Sequence, residues 1–395
     1  MTSLTVRASL APARPRPDAP VGVELRGGWV PEVWLGAPAP GGLALPAANP
    51  TLAWMYSPRG VFFDEQHLVV ADSGNHRVLI WHGLPTRDEQ PADVVLGQPD
   101  GTTEGRAATG RGPANGMNLP TGVLIHDGRL IVADAWHHRI LVWDRVPDTN
   151  WTAPDLVLGQ QNFSDVEPNT GGECSASSLY WPFGVAIVGS VFWVADTGNR
   201  RVLGWDGGLP EPGQPADIVL GQPDSSSREE NRGDRVGPAS FRWPHSISGC
   251  DALLLVADAG DHRVLGWSPE PGTDQPAAMV LGQPDFFTAG EWPYGPQQGN
   301  RLRFPYAVCM DTSYGDRLAV ADTANNRVLL WDGVPSGGRP ADYVLAQPTF
   351  EANGENRWSA VTHDSLCWPY GIWLHGDRLA VADSGNNRII IWRRS

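Results

Sequence analysis

The residue types that could do chemistry are few in this sequence, and most fall where an otherwise repetitive pattern breaks. Trp136-His137-His138 replaces a Ser/Thr-Gly-Asn turn that recurs elsewhere in the chain. Two adjacent imidazoles suit a metal or a general base, and they suit a solvated turn equally well. A second set follows a recurring proline: Arg59, Thr121, Phe183, His245, Tyr306 and Tyr370. Brought together, these would offer aromatic faces to a planar ligand and a guanidinium fork to an anion, or would simply plug a channel. A third set, further along the same runs, is Asp64, His126, Val188, Cys250, Asp311 and His375. Its members His126, Cys250 and His375 are metal-like in type, but their HDG and HGD settings are those of ordinary hairpin turns.

What the chain lacks narrows the field. It contains no lysine, which removes Schiff-base chemistry, a P-loop lysine and a lysine base together. Its serines lie mainly in Gly/Asn-rich stretches without a G-x-S-x-G elbow. The four cysteines, at 174, 250, 309 and 367, form no CxxC pair and read as reduced thiols of a cytosolic protein. With 29 basic against 44 acidic residues the formal charge is −15, so a nucleic-acid backbone would be repelled. No run approaches the ~18 apolar residues of a membrane span. The first twenty residues carry Arg and Pro but no apolar stretch of signal-peptide length. The expectation is a cytoplasmic protein with neither a nucleic-acid nor a membrane partner, and no metal or cofactor is assigned. Composition rich in Arg, Ala, Gly and Pro but free of Lys also points to a GC-rich bacterial genome.

The elements that must position these residues come from a repeat. VVADSGNHRVLIW returns five times, with its Asp at 72, 134, 196, 258, 322 and 383. Its Trp recurs at 81, 143, 205, 267, 331 and 392. A Pro-led run such as LPTGV or WPHSI precedes each copy, and a VLGQP-like run follows every copy but the last. Each unit reads as four short β runs separated by Gly, Asp, Asn and Pro turns. Six such units make an all-β, six-bladed β-propeller with four-stranded antiparallel blades. The last unit lacks its VLGQ run, and PEVWLGAP (31–38) near the N-terminus supplies the missing strand and closes the ring. Residues 1–24 are expected to be a disordered Pro/Arg-rich tail and 25–395 a single propeller, with 25–45 as closing strand and loop. The repeated Asp/Arg pairs read as turn latches, the Trp residues as packing between blades, and Gln98, Gln160, Gln222, Gln283 and Gln347 as ties between blades.

The ADxxNxRI-like core of the repeat resembles the NHL repeat family, and the resemblance covers about residues 31–395. Members of that family include scaffolds, RNA binders and enzymes, so it implies a fold more than an activity. The WPHS stretch is similar to the PHS/PHG segments of the peptidyl-hydroxyglycine amidating lyases, which place a zinc-binding His there in three alternate blades. The matching set here is Thr121, His245 and Tyr370, two of which are not histidine, and Trp136 stands where those lyases carry a catalytic Tyr. Two functions remain open. One is a non-catalytic binding module that presents an acidic, insert-rich face and its channel mouth to a protein, peptide or small ligand. The other is a lyase or hydrolase centred on His245, with or without a metal.

Overall fold

Runs of Val, Leu, Ile and Ala buried on both faces make the inner strands, and a four-residue turn joins each pair. In the first blade His67–Asp72 pairs antiparallel with Arg77–His82, and a short 3-10 turn spans Ser73–Asn75. His76 closes that turn in the left-handed region at φ 55°. The same place is taken by His138, Arg200, His262, Asn326 and Asn387, all left-handed.

The computed structural model describes residues 26–37, 50–268, 270–291 and 296–395. The segment expected to be a tail, 1–24, and most of the loop after the closing strand lie outside the described residues. The architecture is the expected one: six four-stranded antiparallel sheets. Their first strands are Gly60–Phe63, Pro120–His126, Pro182–Val188, Pro244–Cys250, Pro305–Asp311 and Pro369–His375. Each packs beside the first strands of the flanking blades, and the sixth packs beside the first. The ring is closed by Trp29–Gly36, which pairs antiparallel with Arg388–Arg394 from Trp29↔Arg394 to Gly36↔Arg388. This outer strand has 8 residues where the outer strand of the first blade, Val94–Leu96, has 3. Val33 and Leu35 are buried against Leu79 and Trp81 of the first blade. The remaining repeat tryptophans fill the other gaps between blades in the same manner, each large apolar ring burying ~1.5–3 kcal/mol or more of side-chain surface.

A buried ion pair organises every blade. Asp72 Oδ2 accepts from Arg77 Nε at 2.7 Å and from Asn75 Nδ2 at 2.9 Å, while its Oδ1 accepts from the Tyr56 amide at 2.7 Å. The Arg77 guanidinium then takes the carbonyls of Gly101, Thr51 and Trp54. One pair thus pins the turn, the insert that enters the blade and the insert that leaves it. The pattern recurs in Asp134/Arg139, Asp196/Arg201, Asp258/Arg263, Asp322/Arg327 and Asp383/Arg388, all fully buried. The glutamines expected to bridge blades act more locally. Gln98 Nε2 donates to Asn75, His76 and Gly105 carbonyls, tying the turn to the insert leaving the same blade.

Two other contacts do bridge blades. Ser73 Oγ donates to the Pro120 carbonyl of the next blade at 2.5 Å, and Ser384 Oγ to Pro58 across the seam. More regular is a clasp made by the left-handed residue. The amide before the next blade's proline donates to its side chain: Leu119 N–H to His76 Nδ1, Trp181 to His138 Nδ1 and Phe304 to His262 Nδ1, each 3.1 Å. Asn326 and Asn387 accept in the same way, from Trp368 and Ser57 at 2.9 Å. The three clasp histidines must be neutral at Nδ1 to accept. Burial pushes all three down, His138 and His262 to about 4.

Two expectations follow. Asp196→Asn leaves Arg201 buried without its counter-charge and should cost about 3–5 kcal/mol of unfolding free energy in urea titrations. Because the clasp histidines have depressed folded pKa values, the unfolded chain takes up their protons first. Stability should therefore be complete above about pH 6.5 and fall as pH drops towards 4. His76→Asn, His138→Asn and His262→Asn combined should keep the clasps and flatten most of that loss, as read from denaturation midpoints across the range.

Candidate functional site

Each first strand is led in by a proline, and the next residue turns into the axis. Arg59, Thr121, Phe183, His245, Tyr306 and Tyr370 accordingly share one narrow channel of about 70 Å³. The rings form a contiguous arc: centroids lie 4.3 Å apart for Phe183–His245, 4.5 Å for His245–Tyr306 and 4.4 Å for Tyr306–Tyr370. Arg59 sits over the Tyr370 ring at 5.0 Å. Thr121 is spent on the wall, its hydroxyl donating to the Phe183 carbonyl at 2.8 Å.

A wider cavity of about 400 Å³ adjoins this channel, sharing Arg59, Phe183, His245, Tyr306 and Tyr370 with it. Its outer wall is Trp136, Trp181, Trp243 and Tyr180, with Arg200 from the turn of the third blade. Trp136 and Trp181 meet edge to face at 5.5 Å and stay 46% and 39% exposed, a large apolar surface left open to solvent. Among the described residues no Asp or Glu lines this cavity.

His245 is the polar centre of the site. Its Nδ1 lies 2.8 Å from the Trp243 carbonyl. A carbonyl can only accept, so Nδ1 carries the proton and Nε2 keeps its lone pair. Burial, reinforced by the charge of Arg59, holds His245 down at about 4 despite that hydrogen bond. Burial and the neighbouring Tyr370 push the Tyr306 phenol up, so it stays protonated at neutral pH. The site therefore offers a neutral acceptor, a neutral phenol and the guanidinium of Arg59.

The cavity opens where the ring of clasps fails. Five of the six clasp positions hold His or Asn, but the third blade holds Arg200, which has no lone pair to accept with. The amide of Trp243 turns instead to Asp258 Oδ1 at 3.0 Å. Ser57, Leu119, Trp181, Phe304 and Trp368, its counterparts before proline, all sit at positive φ of 48–58°, and Trp243 alone does not. The entry into the fourth blade is thereby re-routed, and the cavity lies against that altered junction.

The triplet read as one candidate site divides. Trp136 lines the cavity. His137 is buried with Nδ1 at 2.9 Å from Asp134 Oδ2, in the place that Asn75 occupies in the first blade. Although burial works against the charge, His137 and Arg139 hold the Asp134 carboxyl below its usual range. His138 is a clasp. Neither His137 nor His138 belongs to the cavity lining. The third ring lies at the far ends of the first strands, where Asp64 caps its hairpin through the Gln66 and His67 amides and Asp311 pairs with Arg317 at 2.7 Å. Among the described residues no three His, Cys, Asp or Glu side chains converge on a metal position. With one imidazole and an already engaged Thr121, the alternate-blade set does not fit a zinc ion held by three histidines. Arg200, Trp181 and Trp243 also line the cavity and do not stand out as single residues in the sequence. Their signal is an Arg in a column otherwise His or Asn, and Trp before proline.

Repeat and fold define the chain as a six-bladed β-propeller of NHL-type repeats. The NHL repeat family's sequence profile matches residues 55–81. The chain is similar to NHL repeat-containing protein 2 of Bos taurus, 33% identical over 345 residues, and of Gallus gallus, 28% over 343 residues. In both cases the match covers 82% of this chain and 44% of the relative, so the chain spans less than half the length of those relatives. Among solved structures, a streptogramin B lyase is matched at 10% identity with a TM-score of 0.44, over 89% of this chain and 96% of that one.

Arg200→Asn should restore the missing acceptor, as Asn326 and Asn387 do elsewhere. The expected result is Trp243 at positive φ in a crystal structure, a smaller cavity, and a gain of about 0.5–1.5 kcal/mol in unfolding free energy. An unchanged Trp243 would refute the link between Arg200 and the opening.

Proposed function

We propose that this chain is a non-catalytic binding propeller that holds its ligand at the channel mouth, in the cavity beside the altered clasp. The observation that carries the reading is the cavity itself: about 400 Å³, within the ~300–1,000 Å³ of small-ligand sites. Its exposed tryptophans, Trp136 and Trp181, touch only edge to face and keep much of their ring surface open to solvent. Long inserts, pinned by the buried latches, leave the ring on the same side as these turns and give an acidic chain a rigid face for a protein, peptide or small molecule. A reducing, cytoplasmic setting belongs to this proposal and agrees with the four unpaired cysteines. Among the described residues no helix is long and apolar enough to cross a membrane.

One observation favours a second reading, a lyase or hydrolase. His245 presents an unprotonated Nε2 beside a protonated Tyr306 phenol, an arrangement suited to moving a proton.

A thermal-shift screen of the purified chain against a metabolite and peptide library separates the two. A binding module should give ligands whose stabilisation disappears in Trp181→Ala and Trp243→Ala, and which are recovered chemically unchanged. Recovery of a cleaved compound, with cleavage abolished in His245→Phe, would replace the binding reading with the catalytic one.

A further inference from the structure

We infer that the mouth cavity is built for a flat aromatic anion, a small molecule carrying a carboxylate or phosphate on a planar ring. This rests on the binding reading above and names the class of its ligand.

Charge supplies the first argument. Arg59 and Arg200 both line the cavity, and the Nε of each is buried without a hydrogen-bond partner. Among the described residues neither pairs with a carboxylate; Arg200 reaches only the Gly198 carbonyl, at 2.7 Å, and Arg59 lies on Tyr370. Arginine keeps its charge at any working pH. The contrast lies within the same molecule, because each latch arginine has a carboxylate on its Nε and backbone carbonyls on its Nη2, and only Nη1 of Arg388 among them is left without a partner. Two half-buried cations therefore face one cavity with no acidic side chain in its wall, in a protein of net charge −15. An incoming anion offsets a desolvation cost that the fold itself leaves standing.

Shape supplies the second. Trp136, Trp181 and Trp243 present flat surfaces around the opening, and Phe183, Tyr306 and Tyr370 continue them inward, which favours a planar ring by stacking. The inner channel narrows to about 70 Å³, so a ligand is stopped at the mouth rather than threaded. Aromatic cages that hold ammonium ions use bare ring faces. Here a guanidinium already covers Tyr370 and a second adds to the repulsion, so a cation is disfavoured. Neutral His245 adds an acceptor and no negative charge.

The test is isothermal titration of the full chain at low salt with four probes: naphthalene-2-carboxylate, 2-naphthyl phosphate, naphthalene-2-carboxamide and 2-naphthylmethylammonium. Both anions should bind at least tenfold tighter than the neutral amide, and the ammonium weakest. The ratio of carboxylate to phosphate tells which anionic group the site favours. Arg59→Gln and Arg200→Met, in separate blades and outside the latches, should each lose about tenfold for the anions and little for the amide, while Trp181→Ala weakens all four. Equal binding of amide and anion, or anion preference surviving both arginine variants, overturns the ligand class while leaving a binding cavity in place. No binding by any probe overturns both the ligand class and the small-molecule form of the binding reading.

Discussion

Six buried carboxylate–guanidinium pairs hold this structure in register. Removing two charges from water costs several kcal/mol per ion, recovered only when nearly every hydrogen-bonding group finds a partner. Asp72 and Arg77 meet that condition together, the carboxylate accepting from the turn and the entering stretch and the guanidinium donating to carbonyls of the entering and leaving stretches. The outcome is more than a fastened turn. Long Gly- and Asn-rich inserts, which composition alone would leave loose, arrive and depart through fixed carbonyl contacts. One face of the disc thereby becomes a platform on which exposed side chains keep their places.

Latches act within blades, and the bonds between blades are of another kind. A residue forced into the left-handed region offers its side chain to the first amide of the next unit. His and Asn serve because each has a lone pair within reach. The device is indifferent to which of them is used, and also to the sequence of the partner, since it reads only a backbone N–H. It is sensitive to one thing, the presence of an acceptor. Arg200 lacks one, and at that single junction the chain takes another path. The mouth cavity of this protein lies at a local failure of its own repeat, and the residue without an acceptor also lines the cavity.

Much of this was legible before any coordinates. The regular recurrence of Asp and Trp set the number of blades, and the PEVWLGAP segment identified the closing strand because its pattern matches the run missing from the last unit. The residue after each proline, from Arg59 and Thr121 round to Tyr306 and Tyr370, lines one channel, since a strand start at a fixed phase of a rotational repeat must point the same way six times. The paired histidines were less tractable. His137 looked like an active group because its column elsewhere holds Asn or Asp, and the structure shows it doing the work of that Asn on a different ring. The glutamines, repeated and polar, suggested bonds between blades and turned out to serve a turn and an insert of one blade.

Strand order, blade count, closure and the positions around the axis depend on local pattern and on symmetry, and the amino-acid sequence alone determines them. The clasps, the cavity and the unpartnered arginines depend on which atoms of different units lie within about 3 Å of each other. His138 and Trp181 are 43 residues apart, yet they share a hydrogen bond. Contacts of that kind are decided only when the ring closes, because a hydrogen bond is a matter of distance and direction, whereas a repeat unit read singly records residue type and spacing.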